Sequence, residues 1–171
     1  MATMPKVDPR APQSFYGRAL RKIVISDAGT RVAMAVAPRV DPWLLKATGG
    51  RFATSLGLPI LNLTTTGRKS GKPRTATLLY FTRDDDVVLV ASSFGRDKHP
   101  AWYLNLKSDP HAQLLCRGRE GRFVAREADE PDRTELYGLA TELYGGYEKY
   151  AAKTDRKIPV MLLSPAPSDG D

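Results

Sequence analysis

The stretch LNLTTTGRKSGKPR, residues 61–74, changes character at its middle. Its first half sets Leu61, Leu63 and Thr65 against Asn62, Thr64 and Thr66, a two-residue alternation with β-branched threonines that predicts a strand buried on one face. Gly67 to Arg74 then places Arg68, Lys69, Lys72 and Arg74, the hydroxyl of Ser70 and two glycines ahead of the next apolar run. Such a loop suits an anion. Gly67 and Gly71 free the backbone to turn its N–H groups onto an oxyanion, and the cations supply charge and the planar fork of arginine. The competing reading is a solvated hairpin tip.

Outward from this loop the pattern is of short strands. Strands are expected over Ile60–Thr66, Thr75–Thr82, Val87–Ala91, His111–Arg117, Arg122–Glu127 and Ile158–Leu163, with turns at Asp84–Asp86 and Gly118–Gly121. A short helix opened by Pro100 covers His99–Lys107, and Ser92–Lys98 forms a polar loop before it. Leu136, Leu139, Ala140 and Leu143 fall on one side of a helix over Pro131–Tyr144, and a second helical stretch follows at Tyr147–Ala152. Strands linked as hairpins, without strand–helix–strand alternation, predict a mainly β chain with flanking helices: a small barrel of about six antiparallel strands.

N-terminal to the barrel, Met1–Gln13 is proline-rich and is expected as a mobile tail. Phe15 to Ala37 has near-helical apolar spacing broken at Ser26–Gly29, and Asp41-Pro42-Trp43 reads as a helix start closed by Gly49-Gly50. The chain divides accordingly into a tail and basic helical segment (1–40), the barrel domain (41–165) and a polar tail (166–171). Of the net charge of +7, residues 1–51 hold +6, with nine Lys/Arg against three Asp/Glu, and residues 52–171 hold +1, with seventeen against sixteen. The charge therefore locates any contact with an acidic surface, such as anionic lipid or nucleic acid, in the N-terminal segment and not across the body. One cysteine, Cys116, excludes an internal disulfide and reads as a buried thiol. Met1–Gln13 lacks the apolar core of a signal peptide and no run approaches the ~20 residues of a membrane span. The expected location is the cytoplasm, with a peripheral position at the inner face of the plasma membrane as its refinement.

Most familiar chemistries fail on spacing. Three residues separate Gly67 from Gly71 where a nucleotide P-loop needs four, and Pro73 follows Lys72 where a magnesium-binding hydroxyl belongs. No dinucleotide-binding glycine fingerprint joins a strand to a helix. His99 and His111 stand twelve apart without partners at ligand spacing, so no metal is expected. Without a paired nucleophile and base, any reaction belongs to a bound cofactor. Tyr144, Tyr147 and Tyr150 recur every third residue, which suits either core packing or the rim of a pocket for a flat ligand.

Three motifs in order, LTTTGRKSGKPR (63–74), DKHPAWYLNLKSDP (97–110), and the tyrosine run followed by KTDRKIPVMLLSP (153–165), resemble the deazaflavin-dependent nitroreductase family, the F420-dependent quinone reductases of actinobacteria. The resemblance covers roughly Asp41–Pro165 and implies a split β-barrel of FMN-binding type holding coenzyme F420, with FMN as the alternative cofactor. It places Thr66, Gly67, Arg68, Lys69, Ser70, Gly71 and Arg74 on the cofactor's phosphate and acidic tail. Ala91, Ser92, Ser93, Pro100, Trp102 and Asn105 fall along the deazaflavin ring, and Leu79, Tyr144, Tyr147 and Tyr150 on the substrate side. Tyr147 and Ser92 are the implied catalytic hydroxyls for hydride transfer to a quinone, nitro or enone acceptor. No nucleic-acid partner is implied. Ser93 and Phe94 depart from the lysine and glycine expected after the serine, and Leu79 stands where a tyrosine can occur.

Overall fold

A computed structural model describes residues 4–11 and 58–167. The helices expected between Phe15 and Gly50, and the domain boundary at residue 40, lie outside the described residues. The strands are β1 (Ile60–Thr66), β2 (Pro73–Leu79), β3 (Phe81–Arg83), β4 (Asp86–Val90), β5 (His111–Cys116), β6 (Arg119–Glu127) and β7 (Val160–Pro165). A 3-10 turn spans Ser93–Gly95, and the helices are α1 (Ala101–Ser108), α2 (Asp132–Leu143) and α3 (Gly146–Ala151). The strands form one sheet in the order β2-β1-β5-β6-β7-β4-β3, and every neighbouring pair is antiparallel.

The two edge strands in that order, β2 and β3, are consecutive in the chain with Tyr80 alone between them. A sheet whose first and last strands meet end to end has to curl, which produces the half-barrel. Tyr80 is buried. Its N–H donates to Pro59 O at 3.1 Å, outside the β1–β2 ladder. Its hydroxyl donates to Pro5 O at 3.1 Å and lies 3.3 Å from Cys116 Sγ. The single strand expected over Thr75–Thr82 is thus two, and the sheet has seven strands. The apolar run Leu78-Leu79-Tyr80-Phe81 carries no sign of that break, because it lies in the hydrogen bonding and not in the side chains.

Alternation decides what the barrel encloses. Leu61 and Leu63 of β1, Val87 and Leu89 of β4, Ala112, Leu114 and Cys116 of β5, Phe123 of β6, and Met161 and Leu163 of β7 pack in one cluster, joined from α1 by Trp102, Tyr103 and Leu106. On the other face Phe81, Val88, Val90, Val160 and Leu162 are covered by Leu136, Ala140, Leu143, Tyr144, Tyr147 and Tyr150 of the α2–α3 segment. Covered on both sides, β4 and β7 read as unbroken apolar runs where a half-exposed strand would alternate.

Turn chemistry sets the hairpin ends. Cys116 pairs with Arg119 across Arg117 and Gly118, with φ of 48° and 77°, the two-residue turn whose twist matches its strands. That turn is tighter than expected over Gly118–Gly121, so β6 begins at Arg119. Residues 4–11 also differ from the expected mobile tail. Met4 is buried in the barrel cluster, Val7 N–H donates to Thr82 Oγ1 at 2.9 Å, and Thr82 N–H returns a bond to Val7 O at 3.0 Å. Apolar Met4 and Val7, set between the prolines, give this segment a contact that its polar composition hides.

Because Leu162 faces the helices and Leu163 the barrel, Leu162→Ala and Leu163→Ala are each expected to cost about 2–5 kcal/mol in chemical denaturation. A negligible cost for Leu162→Ala alone would contradict packing of the α2–α3 layer.

Candidate functional site

The basic loop between β1 and β2 is held shut by its own backbone. Gly67 N–H donates to Lys72 O at 2.9 Å, and Ser70 and Gly71 N–H both donate to Gly67 O, at 3.0 and 2.7 Å. Lys72 N–H donates to Ser70 Oγ at 3.3 Å, and Arg68 N–H to Asn105 Oδ1 at 3.1 Å. The expectation that these N–H groups turn onto an oxyanion is not met. Their partners lie within the protein, which leaves the side chains as the loop's exposed polar groups. A side chain at Gly67 would come within 2.8 Å of Ser70 Oγ and 3.0 Å of Lys72 O, and Gly71 has φ +65°, so each glycine serves closure of the turn.

Asn105 of α1 is the loop's anchor. Buried at 6% exposure, it accepts from Arg68 N–H and donates through Nδ2 to Thr65 Oγ1 at 3.0 Å, whose hydroxyl reaches Arg74 O at 3.4 Å. One amide thereby ties the helix to both ends of the loop. Arg68, Lys69, Lys72 and Arg74 project from this frame with exposed surfaces. Among the described residues none of the four forms an ion pair, whereas Lys6, Arg83, Lys107 and Lys157 are matched by Asp85, Asp132, Glu127 and Glu130. An uncompensated cluster on a fixed frame is the donor set that a phosphate and an acidic tail require.

The second part of the site follows β4. Ala91 is buried, and Ser92, Ser93, Phe94 and Gly95 make a sharp turn in which Ser93 has φ 51°, Phe94 φ 58° and Gly95 φ 76°. Left-handed backbone at two residues bearing Cβ is costly, and Arg156 holds it in place. The guanidinium donates to Ala91 O at 3.3 Å, to Ser92 O at 3.0 Å and to Arg96 O at 3.3 Å, and through Nη1 it meets His99 Nδ1 at 3.0 Å. Since the guanidinium has no lone pair to offer, Nδ1 accepts and the imidazole is neutral with its proton on Nε2. Partial burial and the neighbouring Arg156 charge lower the His99 pKa from its ordinary value, against a weaker pull from Glu127. Tyr103, stacked on His99 at 4.8 Å, donates to Glu127 at 3.0 Å; burial and that bond push its phenol up to about 12.

Helix α1 joins the two parts, with His99 and Pro100 at the turn and Asn105 at the loop. Five helical residues span roughly 7–8 Å at 1.5 Å each. Trp102 lies in the barrel core. Ser92 Oγ makes no hydrogen bond among the described residues. Tyr144, Tyr147 and Tyr150 are buried in the second cluster with Leu79 at its margin, and Tyr144 Oη lies 3.3 Å from Tyr150 Oη. All three thus have a packing role, and of the three only Tyr150 has a ring contact with the turn, at Phe94, with centroids 5.7 Å apart. Burial raises the Tyr147 phenol pKa, so that ring stays protonated. A cleft of about 530 Å³ runs over β1, β5 and β6 beside the basic loop, bordered by Thr66, Gly71, Pro73, His111 and Arg122; none of the turn or tyrosine residues lines it.

A curled antiparallel half-barrel with a basic loop at one flank of a short helix and a polar turn at the other defines a split-barrel cofactor-binding protein. The sequence profile of the F420H(2)-dependent quinone reductase family matches residues 37–165, and the chain belongs to that family. Among its relatives, F420H(2)-dependent quinone reductase Rv1261c of Mycobacterium tuberculosis is 31% identical over 131 residues, 74% of this chain and 88% of that protein. The Rv3178 protein of the same species is 37% identical over 110 residues, 63% of this chain and 91% of that one. A solved F420-H2 dependent reductase, FDR-A, superposes with a TM-score of 0.58 at 38% identity, covering 62% of this chain and 94% of its own. The family name makes coenzyme F420 the cofactor.

Arg156 is the site residue that sequence reasoning passed over. It sits inside the KTDRKIPVMLLSP motif, but its partners are carbonyl oxygens sixty residues away, which leave no mark on side-chain patterning. The neutral state of His99 gives a pH test. Its folded pKa lies below the ordinary 6.5, so its contribution to stability is complete above that value and is lost as pH falls through 6.5 toward the folded pKa. His99→Gln keeps an acceptor that does not titrate. The wild-type melting temperature is expected to fall relative to His99→Gln as pH drops from 7.5 to 5, each measured at matched ionic strength; a constant difference contradicts the assignment.

Proposed function

We propose that this chain binds reduced coenzyme F420 through the loop and the turn and presents it to a quinone. The observation that carries the reading is the set of four cations without carboxylate partners among the described residues, on a loop fixed by Asn105. When bound, reduced F420 supplies a hydride. Arg68, Lys69, Arg74 and the Ser70 hydroxyl hold the phosphate and acidic tail, while Ala91, Ser92 and Ser93, kept in register by Arg156, line the ring side with Pro100 and Asn105 behind them.

The protein's remaining task is to orient the acceptor and to meet the negative charge that develops on its oxygen. Ser92 Oγ is suited to donate a hydrogen bond there because it has no partner among the described residues to give up. Tyr147 is the second candidate. Its hydroxyl also makes no hydrogen bond among the described residues, and burial keeps its proton on Oη. A quinone is the acceptor class that the relatives' names state; nitro and enone compounds are a wider reading of the same site.

Among the described residues no helix is long and apolar enough to cross a membrane. For a lipid quinone we propose peripheral contact through the basic N-terminal segment, and Arg18→Glu with Arg21→Glu and Lys22→Glu in the full chain is expected to abolish co-sedimentation with anionic vesicles. Co-sedimentation that survives the charge reversal contradicts this contact.

The direct test is a fluorescence titration with F420 and, separately, FMN, followed by menadione-dependent oxidation of the reduced complex. F420 binding with menadione turnover is expected; a preference for FMN, or F420 binding without turnover, would contradict the reading. Arg68→Ala with Lys69→Ala should weaken F420 by about 3–6 kcal/mol at most, since each charge-assisted bond contributes ~1.5–3. Tyr147→Phe removes no hydrogen bond among the described residues, so turnover lost at unchanged melting temperature and F420 affinity assigns it to the chemistry, and equal loss of all three assigns it to packing.

A further inference from the structure

Phe94 breaks two rules at once. It is exposed at 39%, the one large apolar side chain so exposed among the described residues, and its backbone stands at φ 58° and ψ 28°, a conformation that glycine would occupy without strain. The left-handed backbone belongs to the turn itself, but the phenyl ring is not needed to close it. The Gly95 N–H bond to Ser92 O and the Arg96 N–H bond to Ser93 O, 3.0 and 3.1 Å, involve main chain only. Gly95 is the residue that must be small, since a Cβ there would lie 2.7 Å from Tyr150 O. The ring itself is fixed from two sides, edge-on to Tyr150 with the planes at 79° and with the Arg96 guanidinium 5.9 Å from its centroid.

We propose that Phe94 is the specificity-determining surface on which the flat acceptor stacks. The inference rests on the proposed function, which places the neighbouring Ala91, Ser92 and Ser93 along the deazaflavin ring. An acceptor brought beside that ring meets the next residue of the turn, and an electron-rich phenyl face complements an electron-poor quinone. Arg156 is then a positioning residue: by bonding the carbonyls of Ala91, Ser92 and Arg96 it holds in place the strained turn that presents the ring. The exposed ring, and a bulky residue at a left-handed position that glycine would occupy without strain, are both accounted for by a partner that arrives from solvent.

The experiment compares Phe94→Gly, Phe94→Leu and Phe94→Trp with wild type for F420 affinity, melting temperature, menadione KM and kcat, and equilibrium binding of menadione to the complex with oxidised F420. Stacking of this kind changes binding about two- to tenfold. Phe94→Gly is expected to weaken menadione binding and raise its KM by that factor, with F420 affinity unchanged and melting temperature equal or higher because glycine relaxes the turn. Phe94→Trp should restore binding and Phe94→Leu should not. An unchanged KM in Phe94→Gly, restoration by leucine as full as by tryptophan, or a KM increase accompanied by lost F420 affinity and a lower melting temperature would each overturn the proposal. A wild type that binds F420 and reduces menadione while the variants match it removes this proposal alone; a wild type that binds no F420 removes the functional reading and this proposal with it.

Discussion

Tyr80 is all that separates β2 from β3, and those strands are the two edges of the sheet. The chain cannot leave one edge and enter the other within a residue unless the sheet bends back on itself. From that constraint follow a closed apolar interior, into which Leu61, Leu89, Leu114 and Leu163 point, and an outer face on β4 and β7 that needs its own cover. The helices α2 and α3 are that cover. The tyrosine run is therefore part of the fold before it is part of any site, and its three rings pack edge to face or tilted with centroids 5.5–6.2 Å apart.

Closure also brings the β1–β2 loop and the turn after β4 to the two flanks of α1. Each is fixed by a single side chain that speaks to main chain: Asn105 to the loop, Arg156 to the turn. N–H groups that are satisfied internally are not free to bind a ligand, and those of Gly67, Arg68, Ser70, Gly71 and Lys72 are satisfied within the protein while the loop's charged side chains stay exposed. The cations of the loop are then kept apart by position alone, with no carboxylates among the described residues to quench them, which is how a body of nearly balanced charge carries a strongly basic site.

Much of this was legible in the residues. The alternation of β1, the double-sided apolar runs of β4 and β7, and the proline opening α1 each follow from local chemistry, and the antiparallel barrel followed from their order. The basic loop was visible as composition, and the family resemblance named the cofactor. What escaped were features carried by main-chain atoms. The strand break at Tyr80, the internal use of the loop N–H groups and the Arg156 clamp involve carbonyls and amides that every residue shares. Met4 and Val7 escaped for another reason: two apolar side chains among prolines read as a tail until a sheet edge is there to receive them.

The proposed division gives the charged tail of the cofactor to the β1–β2 loop and its ring to the Ser92 turn. The measurement that tests it most directly is the affinity for F420 against that for the same deazaflavin lacking its phosphate and glutamate tail, at low and at high salt. The account predicts tighter binding of F420 at low salt, a preference that shrinks as salt rises, and a salt-insensitive affinity for the tail-less ring. Equal affinities for the two at low salt would contradict it.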